Sequence, residues 1–214
     1  MGFAGGSASL CRIMIILGIT VDDYGLTWDE PTYLDQSLRY KAYFDEVFEG
    51  RKSFSLINIP DLFKPRDWHP PLHFASGTLM LYLLPGQPAL VAARWSTVIL
   101  ASLLLSVVYL WARRGMSRPA ALASALLLLF APRFFPDAHF FALDVAITFW
   151  WTLSLWLFYE GRDRWLPWWG ANFAFTAALL VKFTAVLIPV AILIWIIICR
   201  YGLRGPRSLS YDRV

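Results

Sequence analysis

Two adjacent carboxylates, Asp29 and Glu30, stand in Trp28-Asp29-Glu30-Pro31-Thr32-Tyr33, directly after the first apolar stretch of the chain. A carboxylate at a membrane surface, near both water and lipid head groups, can serve as a general base toward a hydroxyl or an amide. Two neighbouring acids can also help to bind a divalent cation, although alone they are weak evidence for one. Asp29 has a structural alternative. With Pro31 in the first helical turn, it can be the N-cap of the helix that follows. Further on, Asp67-Trp68-His69-Pro70-Pro71-Leu72 sets an imidazole before two prolines that fix an extended turn. His69 then either marks a rigid helix start or meets a phosphate or metal at the head-group plane.

A second group gathers around Pro132-Arg133-Phe134-Phe135-Pro136-Asp137-Ala138-His139 and continues to Asp144 in Leu143-Asp144-Val145-Ala146. An acid inside an apolar helix costs about 2.5–3.5 kcal/mol at its centre, and less near its end. Asp144 is therefore a functional candidate facing the protein interior, with a bond to a neighbouring helix as its structural alternative. A helix reaching back to Asp137 puts Asp137 and Asp144 on one face, seven residues apart. Lys182 interrupts Leu179-Leu180-Val181-Lys182-Phe183-Thr184 and can snorkel or bind an anionic phosphate. Arg94, near the start of its own apolar run, falls on the same side as Lys182 and Arg133.

The elements that carry these residues follow from composition. The chain has 214 residues, 58% hydrophobic and 16% charged, with mean hydropathy +0.53. Soluble domains run about 45–50% apolar and about 25% charged. A soluble enzyme, a disordered chain and a secreted disulfide scaffold are all disfavoured. The net charge of +4 forms no basic stripe, so nucleic acid is not an expected partner. Cys11 and Cys199 sit in apolar stretches and read as buried small hydrophobes rather than a bridge or metal pair. Met1 to Val21 reads as a retained anchor, because no small-residue cleavage site precedes Asp22.

The fold class expected is all-α, a polytopic membrane protein of about six spans. The apolar stretches are Ala8–Val21, Ala89–Ala112, Pro119–Phe135, Ala138–Tyr159 and Trp165–Ile198. Leu72–Leu84 is too short to cross and reads as interfacial. The last stretch would reach about 51 Å as one helix, beyond a bilayer core of about 30 Å, so it divides near Lys182. Arg113, Arg114 and Arg118, then Arg162 and Arg164, then the tail arginines, fall on one side, which the positive-inside rule makes cytoplasmic. The opposite side receives the first loop, 22–87. Its segment Asp22 to Pro71 holds 10 of the 15 acids. Within it, Leu34, Leu38, Phe44, Val47 and Phe48 share a helical face, as in an amphipathic helix on the membrane surface. Residues 1–199 form one transmembrane module and 200–214 a short basic tail.

One membrane face thus gathers acids, histidines and cations, while the other carries only positive-inside arginines. That asymmetry points to chemistry on an anionic, membrane-bound substrate. A transporter or flippase component for an anionic lipid-linked substrate is the alternative. It sits less well with the long acidic loop and the absence of internal repeats.

Taken in order, these motifs resemble a known family. Trp28-Asp29-Glu30-Pro31-Thr32-Tyr33 and His69-Pro70-Pro71-Leu72 are similar to the first outer loop of C-type glycosyltransferases. The nearest in kind are dolichyl-phosphate-mannose protein mannosyltransferases and bacterial aminoarabinose-type lipid A transferases. Arg94 in Ala92-Ala93-Arg94-Trp95, the segment His139 to Trp150 and Leu180-Val181-Lys182-Phe183-Thr184 match further motifs over residues 10–195. The resemblance implies a membrane transferase moving a sugar from a polyprenyl-phosphate donor to a protein, lipid or glycan acceptor on the outer face, with inversion. By carry-over, Asp29 is the general base and Glu30 orients the acceptor or the base. Arg94, Arg133, His139 and Lys182 are candidates for the donor phosphate, and His69 and Asp144 for shaping the sugar site. The resemblance fixes no cofactor; metal dependence varies within the superfamily, and Asp29 and Asp144 are the candidate ligands for a divalent metal. Relatives have more spans, so the chain reads as the amino-terminal catalytic module.

Overall fold

The computed structural model describes residues 14–54, 69–161 and 164–201, with side chains through residue 198. Cys11 and Cys199, Asp67, Arg162 and the tail beyond residue 201 lie outside this account. Among the described residues there is no strand, and the fold is all-α. The first apolar stretch is helical over residues 14–19. It leads to α1 (Glu30–Phe48), α2 (Leu72–Leu83), α3 (Ala89–Ala112), α4 (Arg118–Leu129) and the short α5 (Phe134–Asp137). Then come α6 (Leu143–Glu160), α7 (Trp165–Leu179), a 3-10 turn at Phe183–Val186 and α8 (Leu187–Tyr201).

Local chemistry explains the boundaries. Pro31 lies in the first turn of α1, where its missing N–H is not needed. The chain leaves α1 through Gly50 at φ 72°, the left-handed conformation that glycine adopts freely. Ser117 caps α4, its side chain accepting from the Ala120 N–H, and Pro119 follows in the first turn. The long apolar run from Trp165 breaks at Leu180–Lys182, as length required, and resumes through the 3-10 turn. At the α6–α7 hairpin a Cβ on Gly161 would lie 2.7 Å from the Trp168 backbone nitrogen. Only glycine lets the two helices turn there so closely.

The helices pack as a bundle with α1 and α2 side by side. Ser37 donates to the Phe74 carbonyl at 3.0 Å, and Thr78 donates to the Ser37 carbonyl at 2.9 Å. Gly77 permits this approach, since a Cβ there would lie 2.4 Å from the Phe141 ring and 2.8 Å from Ser37 Oγ. The core beneath joins Tyr33, Tyr40, Phe74, Phe141, Ala146, Ala178 and Val181 from α1, α2, α6, α7 and the turns beside the last two. The face of α1 turned inward is Tyr33, Gln36, Ser37, Tyr40 and Tyr43. The apolar face expected at the membrane surface turns largely away from the core: Leu38 and Phe48 are exposed, and Leu34 and Phe44 flank the core. Tyrosines supply the buried stripe.

Three further expectations change. By length and composition, α3 is the described helix long and apolar enough to cross a membrane, while Leu72–Leu83, Arg118–Leu129 and Phe183–Ile198 are shorter apolar helices. The expected count of about six spans is therefore not confirmed among the described residues. The expected span Pro119–Phe135 is shortened because its helix stops at Leu129, ahead of Pro132. A residue before proline is steered away from helical backbone. Asp137 and Asp144 do not share one helix, because α5 ends at Asp137 and α6 begins at Leu143. The two arginine-bearing hairpins do meet at one end of the bundle, where Arg114 pairs with Glu160 at 3.1 Å.

Candidate functional site

The end of the bundle away from those hairpins assembles the starts of α1, α2, α3 and α6 and the break after α7. Two kinds of polar arrangement lie there, one sealed and one open.

The sealed arrangement is built on Arg94 and Glu30, both fully buried. Arg94 Nε donates to Glu30 Oε1 at 2.7 Å, and one terminal nitrogen donates to Oε2 at 2.8 Å. The remaining guanidinium hydrogens go to the carbonyls of Val21 (3.2 Å), Tyr24 (2.9 Å) and Gly25 (2.7 Å). Arginine has five N–H donors, and all five are used. Glu30 also accepts from the backbone N–H of Thr27 at 3.0 Å and of Phe141 at 2.8 Å. Burial alone would raise the Glu30 carboxyl. The Arg94 hydrogen bonds, the two backbone N–H groups and the Arg94 charge hold it below its ordinary value. This pair ties the chain after the first apolar stretch, the start of α1, the first turns of α3 and the approach to α6 into one knot. Neither side chain has hydrogen-bonding capacity to spare in this arrangement, where Arg94 was expected to meet the donor and Glu30 to orient the acceptor or the base.

His139 is likewise built in. It is fully buried. Its Nδ1 lies 2.7 Å from the Phe135 carbonyl and its Nε2 2.8 Å from Thr20 Oγ1. A carbonyl only accepts, so Nδ1 carries the proton, and Nε2 of the neutral ring accepts from Thr20. Tyr24 packs over the ring at 4.6 Å. With both nitrogens engaged, His139 joins the 20–24 segment to the hairpin instead of meeting a lipid phosphate.

The open arrangement begins at Asp29. It occupies the N-cap position of α1 but makes no side-chain cap hydrogen bond. The residue is exposed, and among the described residues its carboxylate has no hydrogen bond or ion pair. Capping therefore does not account for it. Trp28 beside it is 95% exposed. His69 packs edge-on against Tyr33 with ring centroids 6.1 Å apart, one helical turn from Asp29. The N–H of Leu72 donates to the Leu180 carbonyl at 2.9 Å, which brings the start of α2 to the break that holds Lys182. Lys182 Nζ lies 3.3 Å from Asp144 Oδ1, and the Asp144 side chain is 57% exposed. Asp144 is thus not buried in the protein interior. It stands in the first turn of α6, where the helix dipole favours a negative charge.

Arg133 is almost fully exposed and pairs with Asp137 at 3.5 Å. Burial pushes the Asp137 carboxyl up; Arg133 opposes the shift, and the nearby Asp144 charge adds to it. The structure therefore leaves Asp29, His69, Arg133, Asp144 and Lys182 at or near the surface of this end. No group of three or more His, Cys, Asp or Glu side chains gathers around a metal-sized space among the described residues. The suggested metal ligands Asp29 and Asp144 thus have no third partner of that kind.

One residue that sequence reasoning passed over is His73. It is fully buried, stacked on Phe141 with centroids 4.3 Å apart, and among the described residues neither ring nitrogen has a hydrogen-bond partner. Burial pushes its imidazole down to about 3, against an opposing influence from the Phe141 backbone and reinforced by His69. The signal was present: an ionisable side chain within an apolar run, the same feature that singled out Asp144.

Comparison with known proteins adds one result. Neither a curated protein nor a solved structure matches the chain. Residues 68–206 match the family model described as dolichyl-phosphate-mannose-protein mannosyltransferase. That span holds His69, Arg94, Arg133, His139, Asp144 and Lys182 and begins after Asp29 and Glu30. It covers more than half of the 214 residues, and the chain belongs to the dolichyl-phosphate-mannose-protein mannosyltransferase family.

Proposed function

We propose that the chain transfers a sugar from a polyprenyl-phosphate donor to a hydroxyl-bearing acceptor at the membrane face that carries Asp29. The observation that supports this most is the exposed Asp29 carboxylate, unpartnered among the described residues, at the end of the bundle that also carries His69, Asp144 and Lys182, in a chain of a glycosyltransferase family. In this reading the Asp29 carboxylate takes the acceptor proton as the acceptor oxygen attacks the anomeric carbon. The bond from that carbon to the donor phosphate oxygen breaks on the opposite side, so configuration inverts. The departing lipid phosphate keeps the bonding electrons, and cations near it lower the barrier.

Lys182 and Arg133 are the cations available for that task. Asp144 holds Lys182 through a 3.3 Å contact long enough to be exchanged for a phosphate oxygen. His69 lines the approach from α2. Glu30 and Arg94 act as positioning residues, fixing the backbone from Gly25 to Glu30 and with it the carboxylate at Asp29. Family membership supports transfer over the carrier alternative.

The test is sugar transfer in membranes containing the chain, with a panel of radiolabelled polyprenyl-phosphate sugars and hydroxyl-bearing protein and lipid acceptors. Labelled product from at least one donor, above membranes lacking the chain and reduced in Lys182→Gln, is expected. No transfer from any donor would overturn the reading.

A further inference from the structure

At the opposite end of the bundle lies a feature the transfer reaction does not use. An open-sided cavity of about 590 Å³ is lined by Trp111, Arg114, Met116, Thr152, Tyr159 and Trp195, among others. It lies between the ends of α3 and α6 and the side of α8, within the roughly 300–1,000 Å³ usual for ligand pockets. Its walls combine two chemistries. Trp111, Tyr159 and Trp195 are the side-chain types that favour the membrane–water boundary, and Tyr159 and Trp195 meet edge-on with centroids 6.2 Å apart. Arg114 supplies a cation whose side chain is 57% exposed, and Arg113 and Arg118 flank it in the same hairpin. Glu160 answers this charge through Arg114 Nε at 3.1 Å. Among the described residues of this hairpin and its partner Glu160, three arginines face one carboxylate, and Arg114 is the charged side chain in the wall.

We propose that this cavity binds an anionic phospholipid of the adjacent leaflet, its phosphate at Arg114 and one acyl chain along Val108, Thr152 and Trp195. A head group at Arg114 and a chain between the aromatic walls satisfy both chemistries at once. Neither a purely apolar ligand nor a soluble anion does so. The proposal rests on the membrane location of the family and is independent of sugar transfer. It would stand if the reaction proved to be a different one.

The test is native mass spectrometry of the detergent-solubilised full chain, equilibrated with phosphatidylglycerol and phosphatidylcholine of identical acyl chains and with no sugar donor present. Phosphatidylglycerol is expected to be retained about fivefold over phosphatidylcholine, the effect of one arginine near a lipid phosphate. Arg114→Gln should abolish that preference. Glu160→Gln, which breaks the ion pair but keeps the cation, should maintain or increase it. This separates loss of the lipid contact from loss of the hairpin contact. Equal retention of the two lipids, a preference for phosphatidylcholine or an unchanged preference in Arg114→Gln would overturn the proposal. So would displacement of the lipid by an equal concentration of glycerol phosphate.

Discussion

Glu30 accepts four hydrogen bonds from Arg94, Thr27 and Phe141 inside the protein, whereas the exposed carboxylate one residue earlier accepts none among the described residues. The same division runs through the whole end of the bundle. Arg94 and His139 have every polar hydrogen or lone pair engaged by the fold. Lys182, Asp144 and Arg133 are held by single long contacts at the surface. Charge type does not separate the two groups, since each contains acids and cations. Saturation does: a side chain whose hydrogen bonds are all spent positions the chain, and one with bonds to spare can meet a substrate.

The sealed side should be the more fragile. Replacing one partner of a buried, fully bonded ion pair leaves the other charge stranded and costs about 3–5 kcal/mol. Arg94→Met and Glu30→Gln should each give a large drop in thermal midpoint in detergent and reduced accumulation in the membrane. A midpoint equal to wild type in either variant would show that the knot does not hold this end together.

His73 offers an intermediate effect through pH. Its folded value of about 3 lies below its ordinary 6.5, so between those values the unfolded chain binds the proton and the folded chain does not. Stability at neutral pH is therefore lost as pH falls below about 6.5, by up to about 1.4 kcal/mol per pH unit. His73→Leu should flatten that part of the profile of thermal midpoint against pH, because the imidazole is gone and no bonded partner is left behind. An unchanged acid slope in His73→Leu would assign it to another group. Smaller still is the stability effect expected at the open side. Lys182→Gln removes a partly exposed pair worth at most about 1 kcal/mol. It should leave the midpoint close to wild type while lowering transfer at least tenfold, and normal transfer would remove Lys182 from the phosphate site.

The sequence carried the features that depend on local pattern. The break at Lys182 was readable because a single uninterrupted helix from Trp165 to Ile198 would overrun a bilayer. The short α2 was readable from the 13 apolar residues between two prolines and Pro85. The sealed pairings were not. Glu30 and Arg94 are 64 residues apart, and Glu30 and Phe141 are 111 apart. Nothing in the spacing of either residue shows that the other completes it. The buried stripe of α1 was not legible because it is completed by α2, where Ser37 donates to the Phe74 carbonyl. Asp144 was read as buried because the apolar run begins before it. The helix begins only at Leu143, which places the acid in its exposed first turn.

The account rests on Asp29 and Glu30 having different tasks, and Asp29→Asn tests this most directly. Its thermal midpoint and its sugar transfer are measured side by side with wild type, using the donor found active for the wild-type chain. Asp29→Asn keeps the shape of the side chain, and no intramolecular bond is lost. The prediction is an unchanged midpoint with transfer reduced by at least about a hundredfold, the scale of a lost general base. Wild-type transfer by a normally folded Asp29→Asn protein would contradict it.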